Sequence, residues 1–319
     1  MFRYALNRIL MMIPVVLGVT IVIFTIMYIV PGDPTISILG SQAEPWEYAA
    51  LREKMGLNDM YILQLLRYLK QVYLQFDLGS SYLTGYSVTL ELMERLPRTL
   101  ILGFSSILVA VAVGVPLGIG SAVHQNTIRD WLPLGVALIG VSMPQFWLAL
   151  MLVLVFAVKL GWLPPYGMGG IQFWILPIIS GSFFGLGNFA RQTRSSMLDV
   201  INSDYIVMAR AKGLPERSVI YKHALPNALI PLITIMGSIL AHLFGGSMLI
   251  ETIFSIPGVG YFLVKSVNNR DYPAVEGGVL LLSIVFTVMM LLTDLVMAYV
   301  DPRIKAQFSS RTKSKMKGV

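Results

Sequence analysis

Apolar residues in this chain are grouped in long blocks, and six of the blocks are long enough to cross a bilayer. They cover residues 9–30, 99–123, 132–158, 171–190, 227–250 and 274–299. About 20 apolar residues wound as a helix span the hydrocarbon core. The pattern therefore predicts an all-α integral membrane protein with six transmembrane helices. A secretory signal peptide is the competing reading of the first block. The length of that block and its lack of a small-residue cleavage site favour a retained span.

The polar segment between the first two blocks has helical spacing of its own. Pro45 and Gly56 bracket one expected helix, with Trp46, Ala49 and Ala50 on a common face. Asn58 is a candidate cap for a second that reaches Gln75, in which Ile62, Leu65, Leu66 and Leu69 recur at helical spacing. This segment is expected to pack on the outer face and to shape a substrate entrance. The chain then divides into a first span with a cytoplasmic N-terminus (1–30), an external helical segment (31–98), a five-span core (99–300) with a cytoplasmic loop at 191–226, and a basic cytoplasmic tail (301–319). In the fourth span, Gly181, Gly185 and Gly187 predict close helix approach.

Composition agrees with the block pattern. The chain is 55% hydrophobic and 13% charged, far from the balance of a soluble domain. A net charge of +7 raises the question of nucleic acid, but no stripe of mixed aromatic and basic residues appears. The basic residues instead flank the spans. With six spans both termini lie on one side, and that side holds fifteen Lys/Arg against nine on the other. Lys and Arg concentrate in cytoplasmic loops, so the loop at 191–226 is expected in the cytoplasm. There is no cysteine, which removes disulfides, thiolate metal sites and a Cys nucleophile.

Candidate chemistry is sparse. No Gly-x-x-x-x-Gly-Lys-Ser/Thr phosphate loop occurs, so ATP-driven work would need a nucleotide site on another subunit. Three acids lie in or near spans: Glu251, Glu276 and Asp294. Ionisable groups in a membrane usually face a cavity or a partner. Glu251 and Glu276 fall near outer span ends, where an interfacial place competes with a pathway role. Asp294 is open between a structural bond in the bundle and a proton-linked function. Ser142 and His242 both fall in spans, as an intramembrane serine protease would require, against the plainer reading of small-residue packing and a satisfied histidine.

The polar stretch from Asp204 to Pro231 is the most informative. Asn202, Ser203 and Asp204 offer acceptors for a helix start, and Gly213 suits a left-handed stop. Pro215 fits the first turn of a second helix, Glu216 complements the positive end of its dipole, and Pro226 and Pro231 interrupt the residues beyond it. Ala209 and Ala211 leave low relief, bordered by Arg210, Lys212, Arg217 and Lys222. Such a helix suits another protein's groove; a solvated loop whose basic residues only fix orientation is the alternative.

At the spacing of Ala209, Gly213, Leu225 and Pro226, this stretch resembles the coupling loop of binding-protein-dependent ABC importer permeases. Val207 and Met208 stand where the general signature has Glu and Ala. Asp204-Tyr205, Ala209-Arg210-Ala211-Lys212-Gly213, His223-Ala224-Leu225 and Asn227-Ala228 are similar to the variant in the peptide/nickel (di- and oligopeptide) permeases. So are Pro31-Gly32-Asp33-Pro34, Arg194-Ser195-Ser196-Met197, residues 251–260 and Arg270-Asp271-Tyr272-Pro273.

The resemblance implies a non-enzymatic permease subunit in the cytoplasmic membrane of a prokaryote, importing di- or oligopeptides. It implies a second homologous permease, two ATPase subunits and an extracytoplasmic substrate-binding protein as partners, with no cofactor and no metal. The ATPase-coupling residues would be Ala209, Arg210, Ala211, Lys212 and Gly213, supported by Tyr205 and His223. The alternative class is an ion-gradient-driven secondary transporter with Asp294 or Glu276 as its coupling acid.

Overall fold

In the computed structural model the described residues are 2–30, 32–40 and 42–300. Met1, Pro31 of the Pro31-Gly32-Asp33-Pro34 stretch, Ser41 and the basic tail 301–319 lie outside them. Among the described residues the chain is helical, and the β pairing is an isolated bridge between Ser80 and Ser87.

Helix α1 (Phe2–Ile29) is the first apolar block, begun earlier than its hydropathy alone predicts. Three short helices come next: α2 (Pro34–Leu39), α3 (Pro45–Lys54) and α4 (Tyr61–Leu74). Pro45 opens α3, where Glu44 and Glu47 form a reciprocal capping box. Gly56, at φ +66°, lies just past its end. One expectation fails here: Met60, not Asn58, precedes α4. The face of α3 carrying Trp46, Ala49 and Ala50 is exposed, because α3 buries no residue.

The buried stripe of α4 also differs from the expected one. Leu65 and Val72 are buried while Ile62 and Leu66 are exposed. The reason is aromatic: Tyr61 and Tyr73 join hydroxyls with Thr25 and Thr20 of α1 at 2.7 and 2.8 Å, and Tyr68 stacks on Phe24 at 5.3 Å. Tyrosines at helical spacing thus hold α4 to α1 and turn its leucines outward.

Helix α5 (Val88–Val123) runs unbroken through Pro97 and Pro116, so the second span extends well before its apolar block. Next come α6 (Ile128–Ser142) and α7 (Gln145–Leu152), the latter continuing as a wide π-helical turn, Val153–Lys159. The predicted third span is therefore two pieces meeting at 106°. Pro144 causes the break: its ring pushes Met143 out of the helical region, to φ −79° and ψ 138°.

Helix α8 (Gln172–Ile201) packs along α5 through small residues on both helices. A Cβ on Gly118 would meet the Ala190 carbonyl at 2.5 Å, and one on Gly185 would meet the Ala110 Cβ at 3.0 Å. Gly187 likewise sits under Ala137 of α6. The close approach predicted from the fourth span's glycines is present, and it lets backbone atoms pack directly without a side-chain layer.

Beyond α8 lies a helical hairpin of three short pieces, α9 (Asp204–Ala211), α10 (Glu216–Ser218) and α11 (Leu225–Ala228). The chain then forms α12 (Ile230–Ile253), α13 (Val259–Asn268) and α14 (Tyr272–Val300). Among the described residues four helices are each long and apolar enough to cross a membrane, and two bent helix pairs bring the total to six if each counts once. The main core joins α5, α8, α12, α13 and α14 around Phe189, Leu243, Phe262 and Leu281.

Candidate functional site

The chain between α8 and α12 folds as a hairpin at one end of the bundle. Helix α9 begins after Ser203. The expected side-chain capping is absent: Ser203 and Asn202 donate backwards, to the Val200 and Leu198 carbonyls of the last turn of α8. Carbonyls in a helix's last turn have no i+4 amide within the helix, and although Val200 already accepts the Ser203 N–H at 3.0 Å, they compete for the same polar side chains. Asp204 adds negative charge in the first turn of α9, where the helix dipole favours it.

Gly213 ends this helix at φ +76°, and the space that a Cβ would occupy is open, so backbone conformation and not packing requires glycine there. Pro215 then takes the position just before α10, one place ahead of the expected first turn. The helical path widens into a π-helical turn, Val219–Ala224, and re-forms as α11. Pro226 has no N–H for an i−4 carbonyl, and the widened turn just before it accommodates that loss.

Two side-chain links hold the hairpin. Arg210 spans the Gly213 turn and meets Glu216 with both arms, Nη2 to Oε1 at 2.7 Å and Nε to Oε2 at 3.1 Å. At the open end, Asn227 donates to the Tyr205 hydroxyl at 2.9 Å. Between them Ile206, Ala209, Val219, Ile220, Ala224 and Ala228 bury a small apolar core against Ile119 and Ala122 of α5 and Met197 of α8.

The expected coupling residues divide between the two faces. Ala209 is 7% exposed and turned into the hairpin's own core. Tyr205, Arg210, Ala211, Lys212 and Gly213 are on the open face, and His223 is half-buried, its carbonyl accepting from Asn227 at 3.4 Å. The same face carries Val207, Met208, Leu214 and Tyr221, all exposed. Sequence reasoning missed this apolar set. Val207 and Met208 come directly after the buried Ile206, and that helical phase was the available signal.

An ion pair anchors the hairpin's base. Arg194 of α8 holds Asp130 of α6 at 2.6 and 2.7 Å, while the Asn126 N–H donates to the same carboxylate at 2.9 Å. Asp130 is almost wholly buried, and Ser121 of α5 donates to its carbonyl at 3.0 Å.

The acids expected near spans have definite surroundings. Asp294 pairs with Arg8 of α1 at 2.9 Å. Glu251 is fully buried within the protein and accepts from the Thr99 hydroxyl at 2.8 Å and the Tyr261 N–H at 2.9 Å. Ser142 donates to its own helix at the Leu138 carbonyl, and His242 stacks on Phe184 at 3.8 Å. Among the described residues no hydrogen bond joins that serine to that histidine, so a protease pair is not assembled.

Comparison with known proteins gives one consistent answer. Residues 114–306 match the family described as binding-protein-dependent transport system inner membrane component, and residues 1–103 match its N-terminal companion. The chain is 41% identical to the dipeptide transport system permease protein of Alkalihalophilus pseudofirmus, over 96% of this chain and 100% of that one. It is 39% identical to the glutathione transport system permease protein of Salmonella typhimurium, over 96% and 99%. Among solved structures, an inward-facing form of the MetNI methionine ABC transporter matches 67% of this chain and 97% of that one, at a TM-score of 0.58 and 20% identity. That likeness is one of fold.

Proposed function

The chain belongs to the binding-protein-dependent transport system inner membrane components, and on that premise we propose that it is a permease subunit importing di- or oligopeptides at the expense of ATP hydrolysed elsewhere. A permease of this family works with ATPase and substrate-binding partners. The finer assembly we propose is two ATPase subunits on the cytoplasmic side, a second related permease beside this one, and a binding protein outside. Both termini and the hairpin 204–228 are cytoplasmic in this reading, which the distribution of Lys and Arg supports. The segment 31–98 then faces the exterior.

The observation that carries the coupling role is the hairpin itself. It is clamped at both ends, packed on α5 and α8, and presents exposed apolar residues together with the exposed cations Arg210, Lys212, Arg217 and Lys222. Exposed apolar residues with a charged rim are the anatomy of a protein interface. Tyr205, Arg210, Ala211, Lys212 and Gly213 face the ATPase, while Ala209 and His223 support the helix from within. Closure of the ATPases moves α9, and the small core beneath it passes that motion to α5 and α8 as a rigid-body shift.

The deciding experiment purifies the tagged chain from its native membrane in mild detergent and reconstitutes what accompanies it. Recovery of a second multi-span protein and ATPases, with ATP-dependent uptake of a labelled dipeptide in the presence of the binding protein, supports this reading. A chain recovered alone that still moves solute along an ion gradient would overturn it.

A further inference from the structure

At the opposite end of α5 from the hairpin, a cavity of about 800 Å³ opens between α1, α4 and α14. Phe24, Tyr28, Tyr68, Tyr82 and Tyr272 line it, giving aromatic walls, and Glu276 of α14 reaches it from within the bundle. Two cations of this region are already matched, and a third, Arg270, lies against Gly32 at the cavity's edge. Arg52 lies 3.3 Å from Asp33 and Arg67 lies 2.5 Å from Asp59.

Glu276 is not matched. Its residue is 8% exposed, and among the described residues no hydrogen bond or ion pair reaches its carboxylate. The Tyr68 hydroxyl is buried on the same cavity and also lacks a partner. Burial, and then the nearby Glu276 carboxylate, hold the Tyr68 and Tyr82 hydroxyls well above the ordinary tyrosine range, so both stay neutral. A buried hydroxyl without a partner, beside a carboxylate that opens only to the cavity, leaves polar groups for an entering molecule to meet.

The chemistry of the cavity selects that ligand. A single carboxylate beside a hydroxyl and aromatic faces suits an organic ammonium, which donates to both oxygens and is attracted by the rings. A divalent metal would need several convergent oxygen or nitrogen ligands, and no group of three or more such acidic or histidine side chains occurs among the described residues. The volume is in the range of small-molecule sites, well beyond an ammonium head alone, so the rest of a molecule fits too.

We propose that this cavity binds the protonated primary amine of a small solute or of a lipid headgroup, with Glu276 as counter-ion and the Tyr68 hydroxyl as acceptor. The site is separate from the coupling hairpin and does not depend on the transport reading.

The test uses the full chain, purified with the subunits that accompany it. Ethylamine and ethanol are titrated separately by ligand-observed NMR, and native mass spectrometry counts lipids retained from vesicles of equal phosphatidylethanolamine and phosphatidylglycerol. Ethylamine or the ethanolamine lipid is expected to bind, about tenfold more weakly in Glu276→Gln and about threefold more weakly in Tyr68→Phe. Ethylamine binding points to a free solute as the source; retention of the ethanolamine lipid without it points to a headgroup. Should Glu276→Gln fail to accumulate, Tyr68→Phe and the ethanol comparison carry the test. Absence of both ligands from the wild type, ethanol binding as well as ethylamine, or unchanged binding in the variants would overturn the proposal.

Discussion

Arg194 grips Asp130 through two parallel contacts, Nε to Oδ1 at 2.6 Å and Nη2 to Oδ2 at 2.7 Å, and so ties the start of α6 to the part of α8 that leads into the hairpin. Removing one partner strands the other. Arg194→Gln is expected to destabilise the protein by about 3 kcal/mol, because Asp130 stays buried without its cation. The double variant Asp130→Asn, Arg194→Gln should recover much of that loss. Thermal unfolding in detergent measures both, and a single variant melting with the wild type would mean the pair anchors nothing.

At Gly213 the backbone, not the surroundings, sets the residue. Asn visits the left-handed region more readily than other side chains, and a β-branched residue hardly does. Gly213→Asn should therefore keep most ATP-stimulated uptake, while Gly213→Val loses it, with strain of about 1–2 kcal/mol and normal insertion. Equal uptake in Asn and Val variants would show that the turn does not matter to coupling.

The Arg210–Glu216 pair is exposed on both sides, and exposed pairs add at most about 1 kcal/mol. Charge reversal of either residue should then leave the melting temperature nearly unchanged and still impair uptake. In the double reversal, Arg210→Glu with Glu216→Arg, recovered uptake assigns the pair to holding the turn. Uptake that stays lost assigns Arg210 to direct contact with the ATPase.

Much of this was legible in the sequence, for identifiable reasons. Apolar blocks gave the spans, and Gly213 gave the end of α9, because both signals are local. The bend at Met143–Pro144 was also written locally, in the proline, but the surrounding apolar run masked it. Glu251 was not legible: its partner Thr99 is 152 positions away, and hydropathy assigns a carboxylate to an interface unless a partner is known. Nor was the inward turn of Ala209, since a small residue reads equally well as docking surface or as core.

Thr99 passes a hydrogen bond along, accepting from the Val259 N–H at 2.9 Å while donating to Glu251. Thr99→Ser keeps both bonds and should cost less than about 1 kcal/mol, whereas Thr99→Val orphans a buried N–H and should cost about 2 kcal/mol. Glu251→Ala, which also leaves Tyr261 N–H unmet, should cost more than either. Chemical denaturation of the three variants tests the order, and Thr99→Val behaving as Thr99→Ser would remove the relay.

Helix α5 is 36 residues of continuous helix, about 54 Å at 1.5 Å per residue, while the hydrocarbon core is about 30 Å thick. It cannot be contained in the bilayer. One continuous helix joins the Glu276 cavity, through Val88 against Gly277, to the hairpin core at Ile119 and Ala122, with a backbone hydrogen bond missing at each of Pro97 and Pro116. Those two prolines are the places where such a helix can flex, so they decide how much of a tilt at one water surface reaches the other.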